Sequence, residues 1–235
     1  MQVLGNLILP SGISKLDRLL GKGITTGLIT HIYGRAGVGK TTFALGFVKT
    51  ALDLGERVIY VNSEGSSPVE RLEQIMAKKY EEYANQITLL LPKNFEEQNT
   101  IIEDLELYLK QNTRLIVIDT LTRLYRTVLD DKKTNYVIHR ELNRQMGFLK
   151  GLAKQRDIAV IVLNQVRAKM DEPEGIEPVA SSIMDYWSNY VIRLRAKQET
   201  GTRLIERLEP EGEPSNLVLY LTAQGFAAEK PQEKQ

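Results

Sequence analysis

The segment Gly34 to Thr41, GRAGVGKT, constrains this chain more than any other, because it stands between an apolar β-branched run and an amphipathic run. It fits G-x-x-x-x-G-K-[ST] at every fixed position, the Walker A pattern of a strand–loop–helix unit. Gly34, Gly37 and Gly39 let consecutive backbone N–H groups turn inward, and the helix that follows adds its N-terminal dipole. The result is an anion cradle for the α- and β-phosphates of a nucleotide, to which Arg35, Ala36, Val38 and Thr42 also belong. Lys40 is expected to bridge the β- and γ-phosphates, and the Thr41 hydroxyl to ligate Mg²⁺. ATP with Mg²⁺ is the expected cofactor.

Apolar β-branched runs alternate with amphipathic stretches along most of the chain, as βαβ units around a mostly parallel sheet require. Strands are expected at Leu28–Tyr33, Arg57–Val61, Ile87–Leu91, Leu115–Ile118 and Ala159–Leu163. From Lys40 to Leu54 a helix sets Ala44, Phe47, Val48 and Ala51 on one face and stops at Gly55; a second, from Tyr136 to Gln155, aligns Ile138, Leu142, Met146, Leu149 and Ala153. After Trp187 three short strands, Tyr190–Arg195, Thr202–Leu208 and Leu217–Leu221, predict an antiparallel extension of the sheet.

With 235 residues, one well-cored domain is the expected organisation. Residues 1–10 read as an N-terminal segment, 11–226 as the core and 227–235 as a flexible polar tail. Absence of cysteine excludes disulfides, thiolate metal sites and thiol catalysis, and fits a reducing compartment. The sequence has neither a membrane-length apolar run nor a secretory signal pattern, which predicts a cytoplasmic protein. The net charge of +1 is balanced, yet between Leu121 and Arg156 nine basic residues face three acidic ones. Such a local patch suits a polyanion better than the total suggests.

The strand LIVI runs into Asp119, a carboxylate at the C-terminal end of a buried strand, where open α/β sheets place their sites. Asp119 is expected to hold Mg²⁺. Glu64, just past the strand that ends at Val61, reaches the same edge and is the expected water-positioning base; Gln165, after the strand IVLN, is the expected γ-phosphate sensor. Each also has a bland reading, as turn initiator, solvated acid or structural amide.

Taken in order, GRAGVGKTT, YVNSEG with PVERL, LIVIDT, TRLYRT and IVLNQV resemble the core ATPase domain of RecA/RadA recombinases, as does the lead-in SGISKLDRLLGKGITTGLITHIYG. The resemblance covers Ser11 to Phe226. It implies a RecA-like P-loop α/β fold, a mostly parallel central sheet flanked by helices. About ten residues precede the core, so the N-terminal DNA-binding domain and polymerisation motif of full recombinases are expected to be missing, as in the archaeal RadB paralogues. By the same resemblance Arg71 stacks on or near the adenine, Pro214 caps the base in a neighbouring subunit, and Arg195 or Lys197 reaches across a subunit interface. The family usually has Asp where Asn62 stands, which implies slow hydrolysis.

In that family two loops, after the Walker B and sensor strands, hold DNA. The corresponding segments are Arg123–Asn135, with Arg123, Tyr125, Arg126, Lys132 and Lys133, and Val166–Pro178, with Arg167 and Lys169 among several acids. Cations for phosphates and one aromatic for a base are what single-stranded DNA requires. The leading expectation is a DNA repair and recombination accessory that binds single-stranded DNA and assists a RadA-type recombinase, with self-association left open. An oligomeric DNA-stimulated motor and a clock-protein-type signalling ATPase are the alternatives.

Overall fold

The structure, a computed structural model, describes residues 6–65, 67–130, 132–168 and 175–230, without the side chains of 132–134. The chain begins with β1 (Ile8–Leu9), α1 (Ser14–Leu19), β2 (Ile24–Thr25), β3 (Ile29–Gly34), α2 (Lys40–Asp53), β4 (Arg57–Asn62) and α3 (Val69–Met76). Next come β5 (Ile87–Leu90), α4 (Phe95–Glu103), α5 (Leu105–Tyr108), β6 (Thr113–Asp119), α6 (Leu121–Thr127), α7 (Lys132–Arg156) and β7 (Ala159–Asn164). The remainder is β8 (Val166–Ala168), β9 (Ile176–Pro178), α8 (Ser181–Trp187), β10 (Tyr190–Ala196), β11 (Thr202–Glu209), β12 (Asn216–Thr222) and β13 (Gly225–Ala227).

Nine strands form one sheet in the order β13-β12-β11-β10-β3-β7-β6-β4-β5. From β10 to β5 every neighbouring pair is parallel; β11, β12 and β13 extend the sheet antiparallel. This is the expected α/β architecture. β3 and β7 are buried at all six of their positions, as a parallel strand covered on both faces must be, and β3 takes Thr30 and His31 inside with it.

Each face carries its own core. On one, Phe43, Phe47 and Val48 of α2 and Leu72 of α3 pack with Tyr60, Val117 and Ile161. On the other, Phe95 of α4 and Leu142, Met146 and Leu149 of α7 cover Ile59, Ile116 and Val160. Asn94 starts α4 by accepting the Glu97 N–H on its side-chain oxygen at 2.8 Å.

Three differences from the sequence reading matter. The expected N-terminal segment contains β1, which pairs with β2 and buries Leu9 in the core. At the other end Ala227 closes β13, and Lys230 pairs with Glu199 at 2.6 Å, so the sheet reaches into the expected tail. Third, most of Arg123–Asn135 is helix: α6 takes Leu121–Thr127, and α7 begins at Lys132 rather than Tyr136.

Candidate nucleotide site at the carboxyl edge of the sheet

Strand register builds the site. Tyr33 lies level with Asn164 across β3 and β7, and Asn62 level with Asp119 across β4 and β6, so all four strands deliver their last residues to one edge. Between β3 and α2 the loop turns through positive φ at Gly37 (73°) and Gly39 (101°), where side-chain-bearing residues are strained. Gly39 has a second constraint, since a Cβ there would lie 3.1 Å from the Phe226 ring and 3.3 Å from Leu221. Arg35, Ala36 and Gly37 are exposed, while Val38 is buried and anchors the loop. Its carbonyl accepts from Nε of Arg203 on β11 at 2.9 Å, a contact the sequence reading missed. The Lys40 amine donates to the carbonyls of Gly34 (2.9 Å) and Arg35 (3.1 Å). Burial lowers its pKa, opposed by the charges of Asp119 and Glu64.

Asp119 ends β6 with 2% of its surface exposed. One carboxylate oxygen, Oδ2, accepts from Thr41 Oγ1 at 2.8 Å and from the Tyr60 hydroxyl at 2.7 Å. The other, Oδ1, is buried without a hydrogen-bond partner. Burial raises the pKa of this carboxyl, and the hydrogen bonds from Tyr60 and Thr41 pull it back. An orphaned acceptor beside a threonine hydroxyl fits a hard, oxygen-seeking cation. Among the described residues no three of His, Asp and Glu converge on a metal position, so phosphates and waters would complete the shell, as suits Mg²⁺ carried by a nucleotide.

Glu64 joins the other two expected residues. Its Oε1 accepts from Thr120 Oγ1 at 2.8 Å and from Gln165 Nε2 at 3.0 Å, while its backbone N–H donates to Asn62 Oδ1 at 3.1 Å. The amide oxygen of Gln165 in turn accepts from Arg126 of α6 at 3.0 Å. Lys40, Thr41, Thr42, Glu64, Asp119 and Gln165 line one cleft of about 350 Å³ beside the loop. A larger groove of about 610 Å³ runs along α7 past Phe148 and Trp187, remote from these groups.

Arg71 of α3 donates to Thr42 Oγ1 at 3.3 Å and to the carbonyls of Thr222 (2.8 Å) and Ala223 (2.6 Å). It thus clips the β12–β13 turn beside the start of α2. Pro214 is exposed in the connection between β11 and β12, and Lys197 is exposed past the end of β10. Arg195 sits 4.0 Å from Glu206.

The expected DNA residues divide. Tyr125 leaves the set: its ring is 1% exposed, edge-on to Phe95, and its hydroxyl lies 2.7 Å from His139 Nδ1. Arg123 turns inward and donates to the Ser63 carbonyl. Arg126 faces Gln165, and Arg167 at the base of the β8–β9 hairpin pairs with Glu177 at 2.7 Å. Lys132 and Lys133 open α7; Lys169 lies outside the described residues. The expected basic excess is also partly spent, because Arg144 pairs with Glu103 and Glu141, and Arg156 with Glu106. Of the described aromatics on α7, Tyr136 is the most exposed, at 70% against 45% for Phe148.

A family model described as Rad51 matches residues 5–225. The chain belongs to the Rad51 family. Among its relatives, the DNA repair and recombination protein RadB of Methanococcoides burtonii is 34% identical over 206 residues, covering 86% of this chain and 90% of that protein. RadB of Methanococcus maripaludis strain C7 is 33% identical over 212 residues, covering 90% and 96%. A solved structure titled as the RadB recombinase superposes with a TM-score of 0.78 at 31% identity, over 93% of this chain and 98% of its own. Within the family the chain is thus similar to RadB proteins over most of its length.

Proposed function

We propose that this chain binds ATP with Mg²⁺, binds single-stranded DNA, and assists or regulates a RadA-type recombinase in homologous recombination and DNA repair, hydrolysing ATP slowly. The names of its relatives support the setting in recombination and repair. The observation that carries the finer reading is the chain of contacts from Arg126 through Gln165 to Glu64, which ties a cation on α6 to an acid beside the phosphate loop. Nucleotide and DNA can therefore bias the same few side chains. The proposed ATPase core is Ser11–Phe226. Among the described residues no helix is long and apolar enough to cross a membrane, which agrees with the proposed cytoplasmic setting.

Each residue then has a task. Loop amides from Gly34 to Thr42 hold phosphate oxygens, and Lys40 exchanges its two carbonyl acceptors for phosphate. Thr41 and Asp119 would hold Mg²⁺, which neutralises phosphate charge when bound. Arg71, fixed by the β12–β13 turn, borders the base. Glu64 orients water, and slow turnover follows from the state of that acid: its Oε1 already accepts two hydrogen bonds, and Asn62 supplies an amide where the family usually has a carboxylate.

Binding of labelled single- and double-stranded DNA with and without ATP, run beside a turnover assay, tests the proposal. We expect Mg²⁺-dependent nucleotide retention, a preference for single strands when ATP is bound, and slow turnover. Lys132→Ala with Lys133→Ala should weaken single-strand binding and reduce its salt slope by roughly 0.7 for each phosphate that is no longer neutralised. Protein that retains no nucleotide sinks the reading, and brisk DNA-stimulated turnover by a ring would replace it with the motor.

A further inference from the structure

We propose that Tyr60 is a positioning residue for the metal site: its phenol hydroxyl locks the Asp119 carboxylate so that Oδ1 stays turned toward the cation. The inference rests on the reading that the cleft takes Mg²⁺ with a nucleotide.

Tyr60 lies in the middle of β4, where its neighbours Val58, Ile59 and Val61 are all buried and apolar. Nothing in that setting requires a hydroxyl, since phenylalanine would fill the same volume. A buried phenol needs an acceptor, and this one donates to Asp119 Oδ2 at 2.7 Å. Thr41 donates to the same oxygen at 2.8 Å. Both donors on one oxygen leave the other as the only unpartnered acceptor of the carboxylate, and it is buried. Partial rotation about the Cβ–Cγ bond would move the free oxygen; two fixed hydroxyls on its neighbour oppose it.

The two donors are not equivalent. Thr41 hangs from the phosphate loop and shares in whatever the loop does when phosphate arrives. Tyr60 stands on a strand paired in register with β6, Tyr60 opposite Val117 and Asn62 opposite Asp119. It is the donor that the sheet itself holds still. A group hydrogen-bonded to a metal ligand in this way commonly sets metal affinity by about 10- to 100-fold.

The test is a titration of Mg²⁺ against binding of a fluorescent ATP analogue, with the same measurement in excess EDTA. For Tyr60→Phe we expect the Mg²⁺ midpoint to rise by about tenfold or more while affinity in EDTA stays within about twofold of wild type. In an Asp119→Asn background, the further change Tyr60→Phe should move the midpoint by less than about twofold, because the carboxylate it orients is gone. An unchanged midpoint in Tyr60→Phe overturns the inference. So does a parallel loss of affinity with and without Mg²⁺, or a Tyr60→Phe protein that does not fold, since either makes the hydroxyl a structural donor. Wild type that binds no nucleotide under any condition is the different result that removes the underlying reading.

Discussion

Gln165 is engaged at both ends, donating to Glu64 and accepting from Arg126. A polyanion that draws Arg126 away leaves the amide free to turn, and with it one of the two donors that occupy the acid. If single-stranded DNA lies here as proposed, Tyr136 is the ring on which a base would stack. Tyr136 stands about one turn from Arg140 along α7, solvent-exposed, whereas Tyr125 is sealed in the core. Replacing Tyr136 by alanine should weaken binding of a single-stranded thymidine oligomer by about 5- to 150-fold and leave the salt slope unchanged, because stacking releases no counterions. Anisotropy titrations at several salt concentrations read both quantities. A flatter slope at undiminished affinity would show that Tyr136 acts through its neighbouring cations instead.

Among the elements, the junction of β3 and β10 leaves no room for a side chain at Gly34. A Cβ on Gly34 would lie 2.4 Å from the Leu194 carbonyl oxygen and 2.9 Å from a Val38 methyl. Gly34→Ala therefore has to push β10 away or displace the loop, and should cost about 2 to 3 kcal/mol, seen as a lower urea midpoint with unchanged slope. Wild-type stability in that variant would mean the strands separate more easily than their register implies. β6 and β7 were legible because each carries an unbroken apolar run ending in a polar residue: Asp119 after LIVI, Asn164 after IVL. α6 was not, because its arginines interrupt the sequence TRLYRT and draw attention to charge. Its core face was nevertheless written in the spacing of Leu121, Leu124, Tyr125 and Val128, which is three and four residues apart and helical. Tyr60 was unreadable for another reason. A tyrosine in an apolar strand reads as packing, and only the paired strand shows that its hydroxyl ends on an acid.

For the molecule as a whole, one fully buried histidine links stability to acidity. His31 lies inside the sheet, with Nε2 3.3 Å from Asn164 Nδ2 and its ring stacked on Tyr33. Burial lowers its pKa from 6.5 to about 3. Unfolded chains protonate this ring below its ordinary pKa and the folded one does not until about 3, so the unfolded state takes up the extra proton between those values and stability falls as pH falls. The loss should reach about 3 kcal/mol by pH 4. Asp119, whose pKa burial raises, contributes with the opposite sign, so the comparison is with His31→Phe, which keeps a ring and cannot titrate. Urea midpoints from pH 7 to pH 4 should fall more steeply for wild type than for the variant; parallel curves would exonerate His31.

The contact of Leu221 and Phe226 with Gly39 also ties the order of synthesis to competence. The loop proposed to embrace phosphate is made well before the β12–β13 hairpin, which supplies its back wall and the clip on Arg71. A chain clipped before β12 would carry the complete signature motif and still lack that wall, which on the proposed function makes nucleotide retention a report on whether the hairpin is in place.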